Sequence, residues 1–263
     1  MKEKRIARYI MAFLQMNYHS KTLQTDVTVN VILPDVLMAE KGRKCKTLYL
    51  LHGLSGDHTS WTRKTSIERY AAGYDIAVVM PAVGRSWYTN TAYGAKYFTF
   101  ITKELPSVCQ AFYSGLSDKR EDNFIAGLSM GGYGCMKAAL AFSEFFGGCA
   151  SLSGALDVAD ASRVRPLDEW RGIAGFDING VADLKDTCHD LFHLAKQNKE
   201  AGKPFPRIYM WCGEQDVLFD QNNRFHAHLD ELGVEHLYET SEGDHSWKWW
   251  DLHIQDALKY LLG

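Results

Sequence analysis

The chain contains no Cys-x-x-Cys pair, no crowding of cysteines, no long apolar run, no block of like charge and no internal repeat. Its six cysteines, Cys45, Cys109, Cys135, Cys149, Cys188 and Cys212, are scattered, which excludes a disulfide framework or a zinc ribbon and points to a reducing, cytoplasmic setting. A membrane helix needs roughly eighteen or more apolar residues in succession, and no stretch supplies them. The head "MKEKRIARYIMAFLQMNYHS" is basic, but its apolar stretch Ile10 to Leu14 is short and no small-residue cleavage site follows. No signal peptide is therefore expected. Lysine and arginine total 29 against 32 acidic residues, and the net charge of −3 is spread along the chain. That balance argues against a nucleic-acid partner.

What is present is ample core material. The 263 residues are 46% hydrophobic and 13% aromatic, enough to bury one large core. No linker or low-complexity segment divides them, so residues 1–263 are read as a single domain, with 1–10 as an extension and Met11 as an alternative start. Short apolar runs alternate with helical stretches, the signature of an α/β fold. "MAFLQMNYHS" and "DVTVNVILP" lie close together, and Val27, Val29 and Val31 alternate with polar residues, which predicts an antiparallel edge hairpin. "TLYLLHG", "DIAVVMP", "NFIAG", "GCASLSG", "RIYMWCG" and "EHLYET" are nearly continuous apolar runs, as expected for parallel strands covered on both faces. The result is an eight-stranded, mostly parallel sheet. Helices are predicted over Ser66 to Ala72, Thr99 to Tyr113, Gly132 to Phe145, Cys188 to Lys199, Gln221 to Leu232 and Trp247 to Leu262. Residues 155–205 leave room for a small cap.

"NFIAGLSMGGYG" sets Ser129 between a predicted strand and a predicted helix in the pattern G-x-S-x-G. That context describes a nucleophile elbow, in which flanking glycines let strand and helix approach closely around a strained serine. A serine hydroxyl needs a base, and the base needs an orienting carboxylate. Asp216, just beyond "RIYMWCG", and His245, in "EGDHSW", follow later strands in the order Ser, Asp, His. Asp220 is set aside because it begins the next helix, and Asp244 because neighbouring side chains diverge. Two backbone donors are expected for an oxyanion: the N–H of Met130, which follows the serine, and that of Leu54 in the "HGLSGD" loop, with His52 read as structural. His189 and His193 form H-x-x-x-H, expected on the surface of a helix rather than around an ion; His226 and His228 face opposite ways. No metal site and no cofactor are predicted. Trp87 and Tyr88 in "GRSWYTNTAYG" and Trp247 beyond His245 are pocket candidates, whereas Trp249 and Trp250 are assigned to packing.

Taken in order, "LYLLHGLSGDHTSW", "IAVVMPAVGRSWYTN", "FITKELP", "IAGLSMGGYGCMKAAL", "LSGALD", "CGEQD" and "GDHSWKWWD" resemble the esterase D-like α/β-hydrolases, and most of all the bacterial tributyrin esterase branch. The resemblance runs over nearly the whole chain from about Met11. It implies a serine carboxylesterase acting on short acyl esters, with Ser129 as nucleophile, Asp216 as orienting acid, His245 as base and the Leu54 and Met130 N–H groups as the oxyanion hole. Relatives of that family also hydrolyse S-formylglutathione, release feruloyl or acetyl groups from plant polysaccharides, or transfer mycolyl groups. The "GLSGD" loop lacks the cysteine typical of formylglutathione hydrolases, which weakens that alternative. The expected partner is a small-molecule ester, with no membrane and no nucleic acid; monomer and homo-oligomer both remain open.

Overall fold

In the computed structural model, residues 11–39, 42–160, 167–175 and 183–263 are described. Eight strands form one sheet: β1 Met11–Ser20, β2 Thr25–Pro34, β3 Lys46–Leu51, β4 Ile76–Pro81, β5 Asn123–Leu128, β6 Gly148–Leu152, β7 Arg207–Gly213 and β8 Leu237–Ser241. Their spatial order is β1-β2-β4-β3-β5-β6-β7-β8. β1 and β2 pair antiparallel from Ser20 opposite Thr25 to Met11 opposite Pro34, and β2 pairs antiparallel with β4. All later pairs are parallel. The arrangement is the α/β-hydrolase fold.

Helices surround the sheet: α1 Val36–Ala39, α2 Ser60–Lys64, α3 Ile67–Ala72, α4 Tyr97–Thr99, α5 Leu105–Phe112, α6 Met130–Ala141, α7 Leu167–Ala174, α8 Leu191–Glu200, α9 Phe219–Glu231 and α10 Trp247–Leu262. Among the described residues none is long and apolar enough to cross a membrane. Side-chain alternation along the strands feeds a core on each face. Tyr49, Leu51, Val79, Ile125 and Met210 point to one core, which also receives α5, α6, α8 and α9. Leu48, Leu50, Val78, Phe124 and Trp211 point to the other, shared with α3 and α10. Burial on both faces explains why β3 to β7 read as nearly unbroken apolar runs, whereas β8, at the edge of the sheet, is largely exposed.

Three local departures from the sequence reading have physical causes. The helix predicted from Thr99 is interrupted by a π-helical segment, Phe100–Glu104, between α4 and α5. The Glu104 side chain reaches from the end of this segment to the β1–β2 turn, accepting from Ser20 Oγ and the N–H groups of Lys21 and Thr22 at 2.8–2.9 Å. The short helices α2 and α7 lack the length that periodicity needs to register. His189 lies ahead of α8, whose N-cap is Asp190, so it does not share a helical face with His193. Within the predicted cap, 155–205, residues 161–166 and 176–182 fall outside the described set.

The order of strands places the topological switch between β3 and β5, where successive connections leave in opposite directions. A crevice at the carboxyl ends of the strands is the result. The loop after β3, bearing His52 and Leu54, and the turn after β5, bearing Ser129, meet there.

Candidate active site

Ser129 has φ +55° and ψ −118°, a conformation costly for a residue with a Cβ and therefore maintained by its surroundings. Its N–H donates to the carbonyl of Leu152, and its own carbonyl accepts from Tyr133 and Ala155. The flanking glycines are required by contact. A Cβ on Gly127 would lie 2.4 Å from the carbonyl oxygen of Gly131, and one on Gly131 would lie 2.6 Å from that of Leu51. Both clashes are with backbone, which has no rotamer by which to yield. Strand β5, helix α6 and strand β3 can converge on Ser129 only because these two side chains are absent.

Ser129 Oγ stands 3.0 Å from His245 Nε2. The other ring nitrogen, Nδ1, lies 2.8 and 3.0 Å from the two carboxylate oxygens of Asp216. A carboxylate only accepts, so Nδ1 carries the proton and Nε2 presents its lone pair to the serine hydroxyl. Asp216 also accepts from the N–H of Leu218 at 2.8 Å, and its side chain is fully buried, whereas that of His245 is 29% exposed. The base is reached by solvent and its anchor is not.

The Asp216 and His245 loops are tied together by backbone. Glu214 N–H donates to the Ser241 carbonyl and Gln215 N–H to that of Gly243, while Gly243 N–H donates to Gln215 Oε1. The imidazole also packs edge-on against Trp250, with ring centroids 4.9 Å apart. Trp250 is fixed in turn by its indole N–H, which donates to Ser153 Oγ at 3.1 Å.

A cavity of about 500 Å³ opens over Ser129 and His245. Leu54, Lys64, Arg85, Trp247 and Trp250 contribute to its walls. Met130 heads α6, whose first-turn N–H groups have no partner within the helix. Leu54 lines the same cavity as Ser129.

His52 has a different place. Its Nδ1 lies 2.7 Å from the Gly53 carbonyl and its Nε2 accepts from the N–H of Val83, so the ring bridges the β3 and β4 loops as a neutral imidazole. Burial pushes its pKa down, in keeping with that form.

Two pocket candidates are corrected. Trp87 and Tyr88 do not line this cavity; both are buried in the adjacent core. Trp87 packs against Tyr133 and Trp170 and donates its indole N–H to Glu169, and Tyr88 donates its hydroxyl to the His52 carbonyl. Large aromatics following a catalytic-face strand can turn either way, and here both, at positions with positive φ, turn inward. Trp247 does line the cavity, edge-on to Trp61 and beneath the Lys64 ammonium. Lys64, Arg85 and Trp250 are wall residues that the sequence reading did not select. Only their nearness to the "HGLSGDHTSW", "GRSW" and "GDHSW" segments could have signalled them.

The competing groups are engaged elsewhere. Asp220 pairs with Arg224 in the first turn of α9, and Asp244 accepts from Ser246 Oγ. His193 faces Asp186, while His189 is half-buried beside Thr89, Lys137 and Trp170. Those two histidines therefore do not converge on an ion.

A hydroxyl at a strained strand-to-helix turn, hydrogen-bonded to an imidazole that is oriented by a buried carboxylate, defines a serine hydrolase. The family model described as "Putative esterase" matches residues 20–261. An acetyl esterase of Caldicellulosiruptor saccharolyticus is 31% identical over 95% of this chain and 98% of its own length. Among solved structures, the fluorophosphonate-binding serine hydrolase FphF of Staphylococcus aureus superposes with a TM-score of 0.88 at 36% identity, covering 96% of this chain and 99% of that one. The S-formylglutathione hydrolase FrmB of Staphylococcus aureus gives 0.86, also at 36% identity, with 97% and 100% covered. The chain belongs to this esterase family and is a serine carboxylic ester hydrolase.

Proposed function

We propose that the protein hydrolyses short-chain acyl esters, acetyl esters foremost, through an acyl-enzyme on Ser129. The carrying observation is the unbroken chain from Ser129 Oγ through His245 to Asp216, with contacts of 3.0 and 2.8 Å. His245 Nε2 takes the serine proton as Oγ attacks the ester carbonyl, and Asp216 steadies the imidazolium that forms. The N–H groups of Leu54 and Met130 stabilise the oxyanion, where one such donor is worth about 3 kcal/mol. His245 then returns the proton to the departing alcohol, and water, activated by the same nitrogen, releases the acid.

The cavity supports the short-chain reading. Trp247 and Trp250 wall one side and the Leu54 loop another, leaving about 500 Å³ for both halves of the ester. The likeness to an acetyl esterase along the full length points the same way. A second reading, thioester hydrolysis, is favoured by the likeness to the S. aureus S-formylglutathione hydrolase. Against it stands the cysteine-free "GLSGD" loop.

The deciding experiment compares kcat/KM for acetyl, butyryl, octanoyl and feruloyl esters and for S-formylglutathione. Acetyl or butyryl esters should lead. An octanoyl preference would refute the confined site, and S-formylglutathione in first place would make the thioester reading the correct one.

A further inference from the structure

The carboxyl end of α9 and the approach to β8 bring together three side chains that the ester chemistry does not use. His226 and Asp230 are one turn apart on α9 and share a face. Gly233, with φ +60°, turns the chain after the helix, so that His236 returns against that face just before β8 begins. His226 Nδ1 lies 2.7 Å from His236 Nε2, His226 Nε2 lies 3.5 Å from Asp230 Oδ2, and His236 Nε2 lies 4.0 Å from Asp230 Oδ1.

The orientation of His236 has a definite chemical consequence. Its Nδ1 is 2.8 Å from the Val234 carbonyl oxygen, which can only accept. Nδ1 therefore holds the proton, and Nε2 directs its lone pair toward His226 and Asp230. A metal-ligating histidine is ordinarily oriented in this way, its second nitrogen donating to a backbone carbonyl. The side chain is 3% exposed, so the ring is held in that attitude by packing. The His226 ring also packs against Tyr238, whose hydroxyl donates to Asn223 Oδ1.

We propose that His226, Asp230 and His236 bind one zinc ion that ties the end of α9 to the start of β8. Two imidazoles and a carboxylate suit Zn²⁺, with water completing a tetrahedron. Bond lengths of about 2.0–2.1 Å place tetrahedral ligand atoms roughly 3.3 Å apart, and one ligand atom from each of the three side chains already lies within 4.8 Å of the other two. The site stands at the opposite end of β8 from the loop that carries His245, and its role is structural rather than catalytic.

The test uses untagged full-length protein, stripped with EDTA and desalted. With Zn²⁺ at about a hundredfold excess over the dissociation constant, the thermal transition should rise by on the order of 5 °C. Mg²⁺ should leave it unchanged. Co²⁺ should give visible ligand-field bands at one equivalent, with no sulfur-to-metal charge-transfer band. His226→Ala and Asp230→Ala, both at partly exposed helix positions, should lose the shift and the bands, as should His236→Gln, whereas His193→Gln should keep them. An unmoved transition in the wild type, or an equal shift in His226→Ala, overturns the proposal. Loss of esterase turnover on chelation would also overturn it as stated, because the metal would then serve the reaction.

Discussion

Lys137 is a buried charge whose replacement should raise stability. Helix α6 is buried at every position from Met130 to Leu140, and Lys137 within it is 2% exposed. Among the described residues its ammonium contacts no carboxylate; it donates to Thr89 Oγ1 at 2.6 Å, meets His189 Nδ1 at 3.2 Å and stands over the rings of Phe98 and Tyr133. Burial pushes its pKa from 10.5 down to about 8. At pH 7 the group is still charged in the folded protein, and the depression amounts to about 3 kcal/mol of lost stability. Lys137→Met retains the length and removes the charge. Thr89 and His189 do not become orphans, because Thr89 Oγ1 already lies 3.2 Å from His189 Nδ1 and can donate to it. After about 1 kcal/mol is deducted for the lost hydrogen bond, the variant should be about 2 kcal/mol more stable than wild type at pH 7.

The sign of the pH dependence follows from the direction of the shift. Between pH 8 and 10.5 the unfolded lysine holds its proton while the folded one has released it, so the wild type recovers stability as pH rises through this window. The advantage of Lys137→Met should therefore be constant below pH 8 and shrink toward pH 10.5. Buried thiols such as Cys109 and Cys149, pushed up to about 12, act in the opposite direction. They are common to both proteins and cancel in the difference. Urea unfolding of both proteins at pH 7, 8, 9 and 10 measures it. A variant less stable than wild type at pH 7, or an advantage unchanged at pH 10, would refute the reasoning.

Ser129→Ala should leave the thermal transition unchanged and remove nearly all hydrolysis of p-nitrophenyl acetate and butyrate; survival of more than about a few per cent of turnover would remove Ser129 as the nucleophile. Asp216→Asn should lower kcat by about 10⁴-fold through the wrong imidazole tautomer, while Asp244→Asn, which alters only a contact to Ser246, should change it little. Equal damage by the two would misplace the acid. With a simple alcohol present at millimolar concentration, free acid should exceed acylated acceptor, because His245 is 29% exposed and open to water; the reverse ratio in product analysis would make the protein an acyltransferase.

What could be read from the sequence divides along a physical line. Ser129, Asp216 and His245 were visible because each depends on a local rule: glycines where two backbones touch, and polar residues directly after strands in a set order. The central strands were visible because burial on both faces leaves few polar residues in β3 to β7. Trp87 and Tyr88 obeyed no such rule. Whether an aromatic beside the site turns toward the cavity or the core is decided by neighbours distant in sequence, here Glu169, Trp170 and the His52 carbonyl. The histidines divide similarly. H-x-x-x-H at His189 and His193 looked like a helical pair, yet Asp190 caps α8 between them: its carboxylate accepts from the N–H groups of Phe192 and His193, so the helix begins only after His189. Around His226, comparison with His228 correctly separated two faces of α9 but could not supply a third group. Asp230 is on the right face, and His236 joins it only after the chain has turned at Gly233 and packed its ring against the helix it has left. Spacing can therefore register two ligands on one helix, whereas the third, contributed by the returning chain, depends on a tertiary contact that no periodicity encodes.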